Sequence, residues 1–205
     1  MDLLLSKEKV DAQECDILVT GFFSDERPLE GSAGLIDWRL NGMLSRLLIE
    51  KKLTGEWKEI TLIPTQGRII PRMILLLGFG EVREYSYLRV RELSAQILET
   101  LKKLDARGLC VSLPYGEGYN VDCGKLAEVL IEGFADCLDL SGYSFSEKWI
   151  KDLRIYFAEG EENFLEILLG LQTAKSILDE QIHIRILTPS EDKSVTYKTL
   201  SSLSS

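Results

Sequence analysis

Residues 109–134, LCVSLPYGEGYNVDCGKLAEVLIEGF, hold the repeating unit of the fold. Leu109 to Leu113 is a short apolar run of strand length, closed by the turn Pro114 to Asn120, PYGEGYN. Asp122 then stands where a helix wants an N-cap, because its carboxylate can accept an N–H that the first turn leaves without a partner. Leu126, Ala127, Val129, Leu130, Phe134 and Leu138 follow at steps that put them on one helical face. Strand, glycine turn and amphipathic helix follow one another without a linker.

The same alternation extends in both directions. Upstream, Asp16 to Phe23 (DILVTGFF) reads as a strand, and Leu35 to Glu50 changes to helical period with Ile36, Leu40, Met43, Leu44, Leu47 and Leu48 on one face. Ile60 to Pro64 and Met73 to Leu77 read as strands joined by a turn with Gly67 and Pro71, an antiparallel hairpin with Arg68 and Arg72 near its tip. A long helix is predicted from Ser86 to Ala106, with Leu88, Leu93, Ile97, Leu98, Leu101 and Leu104 inward and Gly108 as its terminator. Downstream, Leu153 to Phe157 is a strand. Glu161 and Glu162 open a helix where its dipole favours acids, and Phe164, Leu168, Leu171, Ile177 and Leu178 face the core. Ile182 to Leu187 is the last strand. The pattern predicts an α/β fold, a three-layer α/β/α sandwich whose sheet the hairpin makes mixed. Residues 1–189 form one domain, and residues 190–205, polar and serine-rich, are expected to be a flexible tail.

Composition narrows the function. The chain has 205 residues with 45% hydrophobic and 28% charged, enough for one sizeable core. Lys and Arg number 24 against 33 Asp and Glu, a net charge of −9 that repels phosphate backbones and disfavours nucleic acid as a partner. Cys15, Cys110, Cys123 and Cys137 form no C-x-x-C pair and His183 is the only histidine, so neither a common zinc site nor a disulfide framework is expected. The leucine run of Met1 to Val10 is too short for a signal sequence, and no apolar stretch approaches the ~20 residues of a membrane span. A cytoplasmic protein that makes no membrane contact is expected.

Three glycine-bearing turns follow predicted strands: GSAGLIDWRLNG (Gly31 to Gly42), GFGE (Gly78 to Glu81) and PYGEGYN. Such turns present free backbone N–H groups at the carboxyl ends of strands, where α/β sheets bind ligands. They also arise for steric reasons alone, and no lysine sits where a P-loop needs one. Candidate ligand-binding residues are Gly31, Ser32, Ala33, Gly34, Gly78, Gly80, Tyr115, Gly116, Gly118 and Tyr119. Glu128, Glu132 and Asp136 form a helical stripe that reads as a solvated face. Trp38, Trp57 and Trp149 read as core or interface anchors. No catalytic residue, metal ligand or cofactor is expected; His183 alternates with isoleucines and has no nucleophile motif beside it.

The order CDILVTGFF, GSAGLIDWRLNGMLSRLLIEKKLTGEWKE, TLIPTQG and RMILLLGFGE resembles the N-terminal domain of the leucyl aminopeptidases of peptidase family M17, above all in Leu53-Thr54-Gly55-Glu56 and Leu76-Leu77-Gly78-Phe79-Gly80. The resemblance runs over residues 1–190 and implies a macro-domain-like fold. VSLPYGEGYNVDCGKLAEVLIEGF looks like the macro-domain segment in which a glycine-rich loop precedes a helix. In macro domains two such loops hold the diphosphate of ADP-ribose. By that likeness Gly31 to Gly34 match one loop and Tyr115 to Tyr119 the other. Thr20-Gly21-Phe22-Phe23 stands where catalytic macro domains carry asparagines, the first loop lacks a run of three glycines, and Glu117 would set a negative charge beside a phosphate.

In that family peptidase activity belongs to a C-terminal two-metal domain, and no stretch here resembles its motif. The resemblance therefore implies a non-catalytic binding or assembly module, acting on itself, on a partner protein or on a small phosphate-bearing ligand. Two alternatives stay open: a nucleotide binder or hydrolase of the macro-domain kind, and a regulatory subunit of a split metallo-aminopeptidase.

Overall fold

The computed structural model describes residues 1–140, 146–178 and 183–188. Among them seven strands form one sheet: β1 (Asp2–Leu5), β2 (Ile17–Phe22), β3 (Ile60–Pro64), β4 (Met73–Gly78), β5 (Gly108–Val111), β6 (Arg154–Phe157) and β7 (Arg185–Leu187). Their order across the sheet is β3-β4-β2-β5-β6-β1-β7. Among the described residues only β3 runs antiparallel, paired with β4 from Ile60↔Leu77 to Pro64↔Met73, so the hairpin and the mixed sheet are as the sequence predicts.

Alternation along the strands sorts the core into two layers. On β2 and β4, Ile17, Val19, Leu75 and Leu77 face α3 (Tyr87–Lys103), α4 (Cys123–Leu140) and α6 (Phe164–Leu178). Leu18, Phe22, Ile74 and Leu76 face the other way, onto α1 (Gly31–Arg39) and α2 (Met43–Ile49). Because both faces are covered, the central strands are apolar at nearly every position instead of alternating with polar residues. The three-layer sandwich stands.

Several local expectations are corrected. The helix read over Leu35–Glu50 is two helices, because Asn41 and Gly42 take φ of 56° and 69° and break the chain between them. Gly108 does not end α3. The chain leaves that helix through Leu104 and Asp105, whose φ is 49°, and Gly108 begins β5. Leu88, Leu104 and Ile177 are exposed rather than inward. The leucine run near the N-terminus, read only against a signal sequence, is strand β1, and the short helix α5 (Glu147–Asp152) has no counterpart in the prediction.

The acidic stripe on α4 is only partly solvated, with Glu128 buried and Asp136 half-exposed. Arg91 on α3 donates to Glu132 at 2.7 Å and to Asp136 at 2.6 and 3.0 Å, which ties α4 to α3, while Lys125 pairs with Glu128 at 2.6 Å within α4. Trp149 is buried, Trp57 is half-buried beneath Arg89, and Trp38 is exposed beneath Arg39. Cys110, Cys123 and Cys137 are buried, outside any disulfide, and Cys15 is half-buried. His183 is exposed. Residues 190–205 lie outside the described residues.

Candidate ligand cleft

Parallel pairing brings the carboxyl ends of β2, β5 and β6 to one edge of the sheet, with Val19 opposite Val111 and Val111 opposite Phe157. A cleft of about 380 Å³ opens there. Its floor is Thr20 and Gly21 from β2, Ser112 just past β5, and Glu159 just past β6. One wall is the start of α1, with Glu30, Gly31, Ser32 and Leu35; the other is Leu113, Pro114, Tyr115 and Tyr119, with Glu26 at the mouth.

Each wall has a local cause. The Pro114–Asn120 turn closes on itself, since Gly116 N–H donates to the Val121 carbonyl at 2.7 Å and Tyr119 N–H to the Gly116 carbonyl at 3.0 Å. Gly116 takes a φ of 103°, a region that strains any L side chain. Tyr119 is held by stacking on Phe23, centroids 5.2 Å apart, within a cluster that includes Phe79 and Tyr85. Its hydroxyl donates to Glu26 Oε1 at 2.8 Å. Across the cleft, Ser32 Oγ and Ser112 Oγ lie 2.5 Å apart, so the first turn of α1 is pinned to the end of β5.

Glu159 is the chemical centre of this arrangement. Burial raises its carboxyl to about 8, against the opposing pull of the nearby Ser112 and Tyr115 hydroxyls and the Leu113 N–H. Tyr115 is fixed by Asn163, whose Nδ2 donates to the phenol oxygen at 2.8 Å and to the Glu159 carbonyl at 2.9 Å. Burial also raises Glu26 above the ordinary carboxyl range. A carboxyl raised in the folded state contributes stability below its ordinary value near 4.5, and loses it as pH climbs through about 8. Glu159→Gln should therefore leave the melting temperature unchanged at pH 4. At pH 9 it should raise it by a few degrees, corresponding to about 2 kcal/mol after allowing for solvent screening; calorimetry at both pH values checks this.

The structure distributes the sequence candidates unevenly. Gly31, Ser32, Tyr115 and Tyr119 line the cleft. Gly31 has φ of 53° and open space where a side chain would go. Ala33 is buried in the core, and a Cβ on Gly34 would meet the Leu29 carbonyl at 2.4 Å, so these two pack rather than face the cleft. Gly116 and Gly118 sit in the turn behind the tyrosines and border open space. Gly78 and Gly80 lie away from the cleft, where the Gly55–Glu59 segment crosses them: a Cβ on Gly78 would come 2.1 Å from the Glu56 carbonyl. Glu26, Glu30, Ser112 and Glu159 were not among the sequence candidates. Ala158-Glu159-Gly160 is itself a glycine turn directly after a strand, with φ of 85° at Gly160, so the rule that singled out the other three turns applies to it too.

Residues 19–147 match the Cytosol aminopeptidase family, N-terminal domain. The chain belongs to that family. Among curated relatives, the probable cytosol aminopeptidase of Cyanothece is 29% identical over 118 residues, 58% of this chain and 23% of that protein. The one from Alkaliphilus oremlandii is 21% identical over 213 residues, 95% of this chain and 42% of that protein. The family member thus spans about a quarter of the first of these relatives and under half of the second. Among solved structures, a mutant macrodomain of Oceanobacillus iheyensis superposes with a TM-score of 0.62 at 13% identity, covering 85% of this chain and 92% of that one. A Trypanosoma brucei macrodomain in complex with ADP-ribose gives 0.61 at 16%, covering 85% and 68%. A mutant tomato leucine aminopeptidase gives 0.61 at 18%, covering 87% and 37%. At such identities these likenesses establish a shared macrodomain-like fold and nothing finer.

Proposed function

We propose that this family member is a non-catalytic, cytoplasmic binding module whose working site is the cleft at the ends of β2, β5 and β6. The observation that carries the reading is the cleft itself. It is a concavity of about 380 Å³ at the carboxyl edge of a largely parallel sheet, with hydroxyl groups of Ser32, Ser112, Tyr115 and Tyr119 converging on it. Open α/β sheets bind ligands at this edge, and pockets of this size suit small molecules. Among the described residues no group of three or more His, Cys, Asp or Glu is placed to hold a metal ion. Among them no helix is long and apolar enough to cross a membrane.

A nucleotide diphosphate is the second reading. It is favoured by the opening of α1 onto the cleft, with Gly31 leaving room for close approach. The Trypanosoma brucei macrodomain complex adds that a protein of this fold holds ADP-ribose. Titration of isotope-labelled protein with ADP-ribose, amines, amino acids and divalent metals, followed by amide NMR, tests both. The binding reading expects shifts at Gly31, Ser32, Tyr115 and Tyr119 with at least one compound. A silent panel, or shifts confined to other surfaces, overturns it. Release of p-nitroaniline from leucine p-nitroanilide in the presence of manganese or zinc would overturn the non-catalytic part.

A further inference from the structure

We infer that the cleft takes a small organic cation, an ammonium group carried on an apolar body, rather than a phosphate-bearing ligand. This rests on the cleft being the working site and names the chemistry it selects.

The charge lining is one-sided. Glu159 lies on the floor, Glu26 at the mouth and Glu30 at the rim, and among the described residues no Lys or Arg lines the cleft. The nearby cation, Arg27, is turned away, donating to the carbonyls of Phe23 and Glu26 and, across the chain, to that of Thr54. The start of α1 offers a partial charge of about +0.5 at most, which the Glu26 and Glu30 carboxylates outweigh. A diphosphate would enter against like charge in a partly desolvated site, where Coulomb repulsion is strongest.

The same carboxyls do not form a metal site. Among the described residues no three acidic, histidine or cysteine side chains stand close enough to share one ion. Acids spread around a volume of about 380 Å³, with Leu35, Leu113 and Pro114 between them, suit a larger body that carries its charge at an end. Tyr115 and Tyr119 also line the cleft, and aromatic rings stabilise an ammonium group.

Glu159 adds a proton linkage. The groups acting on it are the hydroxyls of Ser112 on the β5 end and of Tyr115 on the turn, and the Leu113 N–H. Cys110 on β5, Tyr85 ahead of α3 and Cys123 on α4 feel its charge, and none of them is a cation. With the cleft empty the carboxyl holds its proton near neutrality. An arriving ammonium group makes the carboxylate the stable form, and the proton passes to solvent. Cation affinity should therefore rise with pH, by up to about tenfold per unit below pH 8, whereas an anion would show the opposite slope.

The test uses 3-methylbutylamine, 1,5-diaminopentane, the neutral isostere 3-methylbutanol and ADP-ribose, each titrated by NMR at pH 6.5 and 8.5. Expected are shifts at the cleft residues with both amines, at least about tenfold weaker binding of the alcohol, and tighter amine binding at the higher pH. The monoamine and diamine arms separate a single-charge ligand from a polyamine. Glu159→Gln should abolish the pH slope, and Glu26→Gln should weaken amine binding with the thermal midpoint within two degrees or so of the parent. Equal binding of amine and alcohol, or tighter binding of ADP-ribose than of either amine, overturns the cation inference while the binding site stands. If neither the amines, the alcohol nor ADP-ribose shifts cleft residues, the inference and the proposed site fall together.

Discussion

Gly170→Ala should destabilise the protein by about 2 kcal/mol or more, although alanine is the better helix former by about 1 kcal/mol. α6 crosses α4 with glycine on both sides of the contact. A Cβ on Gly170 would stand 2.0 Å from the Gly124 carbonyl oxygen, and one on Gly124 would stand 2.4 Å from the Glu166 carbonyl oxygen. Both obstacles are backbone, so no rotamer change relieves them and the helices must move apart. That movement opens the layer holding Leu126, Leu130, Ile167 and Leu171, and with it the support under the cleft wall. A thermal midpoint lower by roughly 4 to 8 °C, followed by circular dichroism, is the expected result for a domain of this size. Gly118→Ala is the matched control, because open space surrounds that position, and it should stay within about 0.5 kcal/mol of the parent. If Gly170→Ala melts with the parent, the helices do not cross this closely.

Leu3→Ala should cost still more, about 3 to 4 kcal/mol in urea unfolding. β1 is not an edge strand. It lies between β6 and β7, with Leu3 opposite Ile155 on one side and Ile186 on the other, and its side chain is fully buried. Truncation leaves a cavity in the layer under α4 and α6 that a two-sided sheet cannot collapse to fill. The Arg185 guanidinium, which grips the Asp2 carboxylate through two bonds of 2.8 and 2.7 Å, ties β7 to the same strand. Leu88→Ala, at a position 66% exposed, should change stability by under about 0.5 kcal/mol. A Leu3→Ala protein as stable as Leu88→Ala would mean that β1 does not occupy the middle of the sheet.

The contrast between Leu3 and Leu88 marks where sequence reading stops. Leu88 lies on the predicted helical face, but α3 is covered along only part of its length, and which leucines end up beneath α4 depends on how the helices cross. Leu3 sits in a four-residue strand, too short for a period to register, and its partners arrive more than 150 residues later in Ile155 and Ile186. The Leu35–Glu50 helix breaks at Asn41-Gly42 for a similar reason. Glycine inside a helix costs only about 1 kcal/mol, so it need not end one, and the decision falls to α1 and α2 finding separate places on the sheet.

The cleft divides along the same line. Gly31, Ser32, Tyr115 and Tyr119 were legible because glycine turns after strands carry a local signature. Glu159 carries that signature as well, in Ala158-Glu159-Gly160, but nothing in the linear order says that its carboxyl meets Ser112 and Tyr115. Gly78 and Gly80 bear the same mark as Gly31, yet they serve the passage of the Gly55–Glu59 segment over β4.

The alternation of strand-length apolar runs with amphipathic helices by itself determined the α/β class and the antiparallel hairpin, and the family was legible in the resemblance carried by Leu53-Thr54-Gly55-Glu56 and Leu76-Leu77-Gly78-Phe79-Gly80. Each of these is written in patterns a few residues to a few tens of residues long, which backbone geometry converts directly into elements. The place of β1 in the sheet, the crossing of α4 and α6, and the acidic character of the cleft were decided only in the tertiary structure. They depend on pairs of residues distant in the chain, and contacts and burial of that kind, with the charge they leave uncompensated, exist only once the sheet has assembled.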